Sequence, residues 1–144
     1  MSNKTELKTE ILVVSNYCNI IMQIINVHKQ LSVNKTMFFA FLLKDQCNYY
    51  NQIFSPNSTN DIVIKAISLI SGKYNEYCKN IKYIIEAIDL LISHEDIALH
   101  NNILFCQNES ESKYTYNNKF IKKAIEESRK FSDRQILKEV INNV

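Results

Sequence analysis

The sequence predicts a mainly α-helical fold with one small β-hairpin and a winged-helix-like C-terminal half. Apolar residues recur at three- and four-residue spacing through most of the chain, the period of a helix with one buried face. One glycine and one proline in 144 residues leave those stretches almost unpunctuated. Near residue 103 the period changes from helical to alternating and then returns, which is how a hairpin set between helices reads.

Residues 1–14 read as a lead-in, polar until Ile11-Leu12-Val13-Val14. Ser15 is placed to cap a helix starting near Asn16, with Tyr17, Ile20, Ile21, Ile24, Ile25 and His28 along its apolar stripe. Ser32 or Asn34 caps a second helix, whose segment 37–43 is apolar on every side and so belongs at the centre. Residues 48–60 read as a loop, with Pro56 and a polar run. The third helix carries Ile62, Val63, Ala66, Ile67 and Ile70, and Gly72 is suited to the left-handed residue just past its end. The fourth is the most periodic: Tyr74, Tyr77, Cys78, Ile81, Ile84, Ile85, Ile88, Leu91 and Ile92 share a face.

After a polar turn at 94–96, the runs 103–106 and 113–116 read as the two strands of a hairpin joined by the polar stretch 107–112. Phe120, Ile121, Ala124, Ile125 and Ser128 restore the helical period. Ser132 and Gln135 have the spacing of a capping box for a last short helix bearing Ile136, Leu137, Val140 and Ile141. Together these elements make one domain over residues 1–144: a lead-in at 1–14, a helical part at 15–93, and a hairpin with terminal helices at 94–144.

Composition narrows the classes of function. At 46% apolar and 22% charged the chain suits one globular domain and is too apolar for disorder. No uninterrupted apolar run approaches the roughly 20 residues of a membrane span, and the opening Met1-Ser2-Asn3-Lys4-Thr5-Glu6 lacks a signal-peptide core. A cytoplasmic protein with no membrane partner is expected. Cys18, Cys47, Cys78 and Cys106 stand far apart without a CxxC pair, which reads as reduced thiols packed as small apolar groups. A formal charge of +2 is too small to imply nucleic-acid binding by itself.

Catalysis needs a constellation of groups, and none is legible. One glycine cannot build a phosphate loop, and there is no nucleophile elbow and no zinc-protease motif. His94-Glu95-Asp96 with His100 is the one cluster of metal-capable residues, and it reads as a polar turn. Cys106, set in an apolar run, is poorly placed to form a thiolate against His100. The expectation is a non-enzymatic protein with no cofactor, no metal and no small-molecule substrate. Two sets of residues suit binding instead. Tyr49, Tyr50, Tyr114 and Tyr116 are candidates for a protein interface, because tyrosine offers a rigid apolar body with a polar tip. Lys119, Lys122, Lys123 and Lys130 are candidates for nucleic-acid contact, although Glu126, Glu127, Asp133 and Glu139 are interleaved with them.

The layout resembles the middle components of bacterial three-component ABC-ATPase systems over about residues 11–144. The resemblance lies in Ser15-Asn16-Tyr17-Cys18 opening an apolar helix, the strongly apolar second segment at 37–43, and a central helix leading to a hairpin across 81–105. It continues in Phe120-Ile121-Lys122-Lys123-Ala124, Lys130-Phe131 and the last helix with Ile136-Leu137-Lys138-Glu139-Val140. Lys44-Asp45-Gln46 stands where that family often has a proline, and Lys130-Phe131-Ser132 where it often has glycine and tryptophan. The resemblance implies a non-catalytic accessory subunit that bridges an SMC-like ATPase and an effector, often a nuclease, in Lamassu-type anti-phage and anti-plasmid defence, with DNA within reach of the complex. Two other readings remain: a winged-helix DNA-binding regulator, and a viral Bcl-2-like helical protein that binds a host factor.

Overall fold

The structure is a computed structural model and describes residues 2–45, 59–107 and 115–144. In chain order these form α1 (Ser2–His28), β1 (Gln30–Ser32), α2 (Val33–Lys44), α3 (Thr59–Gly72), α4 (Tyr74–Ser93), β2 (Ile97–His100), β3 (Ile103–Cys106), α5 (Lys119–Ser128) and α6 (Asp133–Asn142). The fold is mainly helical, with one small antiparallel sheet of order β1-β3-β2.

The apolar second segment lies where its composition requires. Every residue of α2 from Lys35 to Leu42 is buried, and the helix touches both the α1–α4 pair and the α3–α5 pair. Phe38, Phe39, Phe41 and Leu42 fill the space between those pairs, each worth roughly 1.5–3 kcal/mol of apolar burial. Ser32 caps the helix, its hydroxyl accepting from Lys35 N at 3.2 Å and donating to Asp133 Oδ1 at 2.7 Å. The buried Lys35 is answered by Phe131 O at 2.7 Å and by Asp133 at 3.8 Å. Burial pulls its pKa down and Asp133 opposes that shift. Thr36 Oγ1 is buried and has no hydrogen-bond partner among the described residues.

The first helix is longer than expected. It begins at Ser2, so Ser15 lies inside it and the stretch expected as lead-in is helical. Lys4, Glu6, Lys8 and Glu10 are good helix formers, and a helix already anchored from Val14 onward propagates outward without a new nucleus. Gly72 also departs from expectation. It is the last residue of α3 and has no positive φ, and Lys73 alone separates α3 from α4. The buried face of α4 is narrower than its apolar stripe: Tyr77, Ile84, Ala87, Ile88 and Leu91 are inside, whereas Cys78 and Ile85 are exposed.

The hairpin exists with one strand other than expected. Ile103–Cys106 pairs with Ile97–His100, with His100 opposite Ile103, across Asn101 and Asn102 at φ 50° and 62°. Two positive φ values are what a two-residue hairpin turn needs, and in a chain so poor in glycine asparagine supplies them. Thr115 and Tyr116 carry no strand, and the rest of the expected partner strand lies outside the described residues. The sheet gains a third member in β1, where Leu31 sits opposite Leu104. The chain enters β1 through Lys29 at φ 72°. Three residues are too few to show a period, which is why β1 was not legible in the sequence. The expected capping box is present: Gln135 N donates to Ser132 Oγ at 3.1 Å, and Ser132 N to Gln135 Oε1 at 2.7 Å.

Candidate protein-interaction surface

The surface builds from α1. Leu7, Ile11, Val14, Cys18, Ile21, Ile25 and His28 follow one another at alternating spacings of four and three, which keeps them on one stripe of the helix. From Val14 to His28 that stripe is taken up by the core. Its main cover is α4, where Cys18 Sγ lies 3.8 Å from Ala87 O. Nearby, Tyr17 is fully buried and donates to Asn80 Oδ1 at 2.8 Å. Burial and the Asp45 charge push its phenol well above the usual range. Toward the N-terminus the same stripe runs out of cover: Leu7 is 57% exposed and Ile11 56%. Lys4 continues the stripe, Lys8 borders it on one side and Glu10 on the other, while exposed Leu12 falls with Thr5 and Thr9 toward the back, where Thr9 Oγ1 donates to Thr5 O at 2.9 Å.

A second apolar surface opens between α3 and α6, a groove of about 640 Å³ lined by Val63, Ile64, Ile67, Phe131 and Ile136. Leu137, Ile141 and Val144 are also exposed, outside the lining of that groove.

His28 ends the α1 stripe in a polar node. Its Nδ1 lies 2.6 Å from Glu126 Oε1 and its Nε2 is hydrogen-bonded to Tyr116 OH. A carboxylate only accepts, so Nδ1 carries the proton, and Nε2 accepts from the Tyr116 hydroxyl. Arg129 closes the node, donating from Nη2 to His28 O at 3.0 Å and Gln30 O at 2.9 Å, and from Nε to Glu126 Oε2 at 3.3 Å. Burial lowers the His28 pKa. The Glu126 hydrogen bond and charge oppose that shift, and Arg129 and Lys122 add to it. Partial burial tends to raise the Glu126 carboxyl, but the hydrogen bond from His28 and the Arg129 charge outweigh it and hold the group below the usual range. The node joins the end of α1, the start of β1, the segment before α5 and α5 itself.

The residues expected at binding surfaces fall unevenly. Tyr49, Tyr50 and Tyr114 lie outside the described residues. Tyr116 is 7% exposed, its hydroxyl engaged by His28 and its ring lying 5.3 Å from Lys122 Nζ, so it presents little surface to a partner. Lys119 opens α5, and Lys123 and Lys130 share one carboxylate, Glu127, at 3.6 and 2.8 Å. Two of the four lysines are therefore paired, and they share a single carboxylate. Sequence reasoning passed over Leu7 and Ile11, although the four-three spacing reaching back from His28 was there to be read.

Among the described residues no group of three or more His, Cys, Asp and Glu side chains comes together, and Cys18, Cys78 and Cys106 are not in disulfides. Asn3–His28 is long and apolar enough to cross a membrane by length and composition, with 44% of its apolar window buried in the body. No protein-family model, no curated protein and no solved structure matches the chain.

Proposed function

We propose that this chain is a non-catalytic accessory subunit that bridges an SMC-like ATPase and an effector in a bacterial anti-phage or anti-plasmid defence complex. The observation that carries the protein-binding part is the apolar stripe of α1, which continues past the core it helps to build and ends uncovered at Leu7 and Ile11. Large apolar side chains grouped on one helix face are costly to leave in water, and such a patch commonly marks an interaction surface. The identity of the partners rests on the sequence resemblance alone. Tagging the chain at its C-terminus in its native cells and identifying what co-purifies by mass spectrometry tests the reading. A stoichiometric large ATPase together with an effector is expected, and purification of the chain alone at low salt would sink the proposal.

One observation favours a second reading, a winged-helix-like DNA-binding protein. A helix, a first strand, further helices and then a hairpin whose second strand pairs with the first strand follow the order of winged-helix domains. It is the weaker reading, because the turn of that hairpin is only Asn101-Asn102 and brings no cation. Lys123 and Lys130 are moreover held by Glu127. A duplex-DNA titration that gives binding steeply dependent on salt would favour it.

A further inference from the structure

We propose that His28, Tyr116 and Glu126 form an acid-sensitive latch, in which a proton taken up by His28 frees the Tyr116 ring from the body while the rest of the fold stays closed. The inference stands apart from the accessory-subunit reading, because it concerns what the chain does by itself.

The direction of two hydrogen bonds carries the argument. With the imidazole neutral, Nδ1 donates to Glu126 Oε1 and Nε2 accepts from the Tyr116 hydroxyl. Nδ1 already carries a proton, so a second one enters at Nε2. That nitrogen then becomes a donor, and the Tyr116 oxygen must turn from donating to accepting. Its own proton is left in a buried place where, among the described residues, His28 is the hydroxyl's hydrogen-bond partner. A buried donor without an acceptor is costly. The Glu126 bond responds in the opposite sense, since a positive ring facing a carboxylate makes a stronger, charge-assisted bond. The imidazolium therefore stays with Glu126, and Tyr116 is the partner that leaves.

The surrounding charges push the same way. Among the described residues Glu126 is the anion that faces the ring, while Lys122 and Arg129 face it as cations. Lys122 Nζ lies 5.3 Å from the centre of the Tyr116 ring, and Arg129 reaches both His28 O and Glu126. Lys29 and Cys106 line the same small cleft. An imidazolium sets three cations around one carboxylate. Burial and the two cations favour the neutral ring, so the latch is closed at neutral pH and a fall in pH opens it.

The backbone permits a local release. Tyr116 lies in residues 115–118, which form no helix or strand. Beyond it α5 has its own cap, Asn118 Oδ1 accepting from Ile121 N at 3.0 Å. His28 ends α1 and its carbonyl is held by Arg129. Tyr116 is thus free to turn outward without unwinding either helix. A tyrosine so exposed is a side chain favoured in protein interfaces.

The test follows the tyrosine rings of the full chain by NMR from pH 8 to 5, with isotope-labelled tyrosine and a soluble paramagnetic probe. That range ends above the protonation of Glu126, whose carboxyl is held below its ordinary value. Relaxation at Tyr116 should rise about fivefold or more as the His28 ring titrates, with the same midpoint. Tyr17 and Tyr77, at 0% and 5% exposed, should stay shielded throughout. In His28→Gln the rise should vanish. In Tyr116→Phe, which has no hydroxyl proton to strand, the labelled phenylalanine ring should stay shielded at both ends of the range. A Tyr116 ring that stays shielded while His28 titrates overturns the proposal, as does a His28 that remains neutral across the range. A rise that persists in His28→Gln, or exposure of Tyr17 and Tyr77 together with Tyr116, overturns it as well.

Discussion

Removing one hydroxyl tests how the His28 node is built. In Tyr116→Phe the ring stays in its buried place and keeps its contact with Lys122, so little packing is lost. What disappears is the donor to His28 Nε2. The imidazole is enclosed, with a side chain 2% exposed, and its other nitrogen is committed to Glu126, so among the described residues Tyr116 is the donor on which Nε2 relies. Leaving a buried acceptor unpaired costs about 1–3 kcal/mol. For a chain of this length that is a fall in Tm of about 3–10 °C, read by circular dichroism or calorimetry at pH 7.5. The neutral imidazole also loses the bond that favoured it, so the His28 pKa should rise toward its ordinary value, a change visible by NMR titration of the ring. An unchanged Tm with an unchanged His28 titration would refute the assignment of Tyr116 as donor and Nε2 as acceptor.

Thr36→Val should be neutral or stabilising by up to about 1 kcal/mol by chemical denaturation, because the hydroxyl it removes is buried without a partner. Gly72→Ala should stabilise by about 0.5–1 kcal/mol: the residue is helical, its φ is not positive, and a Cβ there meets nothing within 4 Å. Stability should fall on acidification in two stages, measured by urea midpoints across pH. The folded pKa of His28 lies below its unfolded 6.5, so the stabilisation present above pH 6.5 is lost as pH falls through the folded value. That of Glu126 lies below 4.5, so its contribution is lost on further descent through its own folded value. His28→Gln should flatten the first stage and shrink the second, because it also removes the His28 hydrogen bond that holds Glu126 down.

The helical elements were legible because long periodic stretches state their own buried face. Segment 37–43 is apolar all round and became the centre, and Ser132 with Gln135 announced a cap that forms. What misled was short or shared between distant segments. Four alternating residues at 113–116 looked like a strand, but a strand needs a neighbour. Ile103–Cys106 found its neighbours in Ile97–His100 and in the three residues after Lys29. The Asn101-Asn102 pair was the local signal for that turn. Gly72 looked like a stop because glycine so often is one, yet α4 follows after Lys73 alone, without a left-handed residue. The candidate surface was hidden for a different reason. Polar residues before Ile11 suggested a lead-in, whereas the stripe continues beneath them through Leu7. The His28 node joins residues 28, 116, 126 and 129, and no pattern along the chain foretells that meeting.

The central claim is that this chain works as part of a larger protein assembly, and its native mass tests that most directly. Light scattering on the tagged chain, eluted by size exclusion from its own cells at low salt, should give a species many times its 16.9 kDa, in fixed ratio with a large ATPase. A single peak at the mass of one chain would contradict the account.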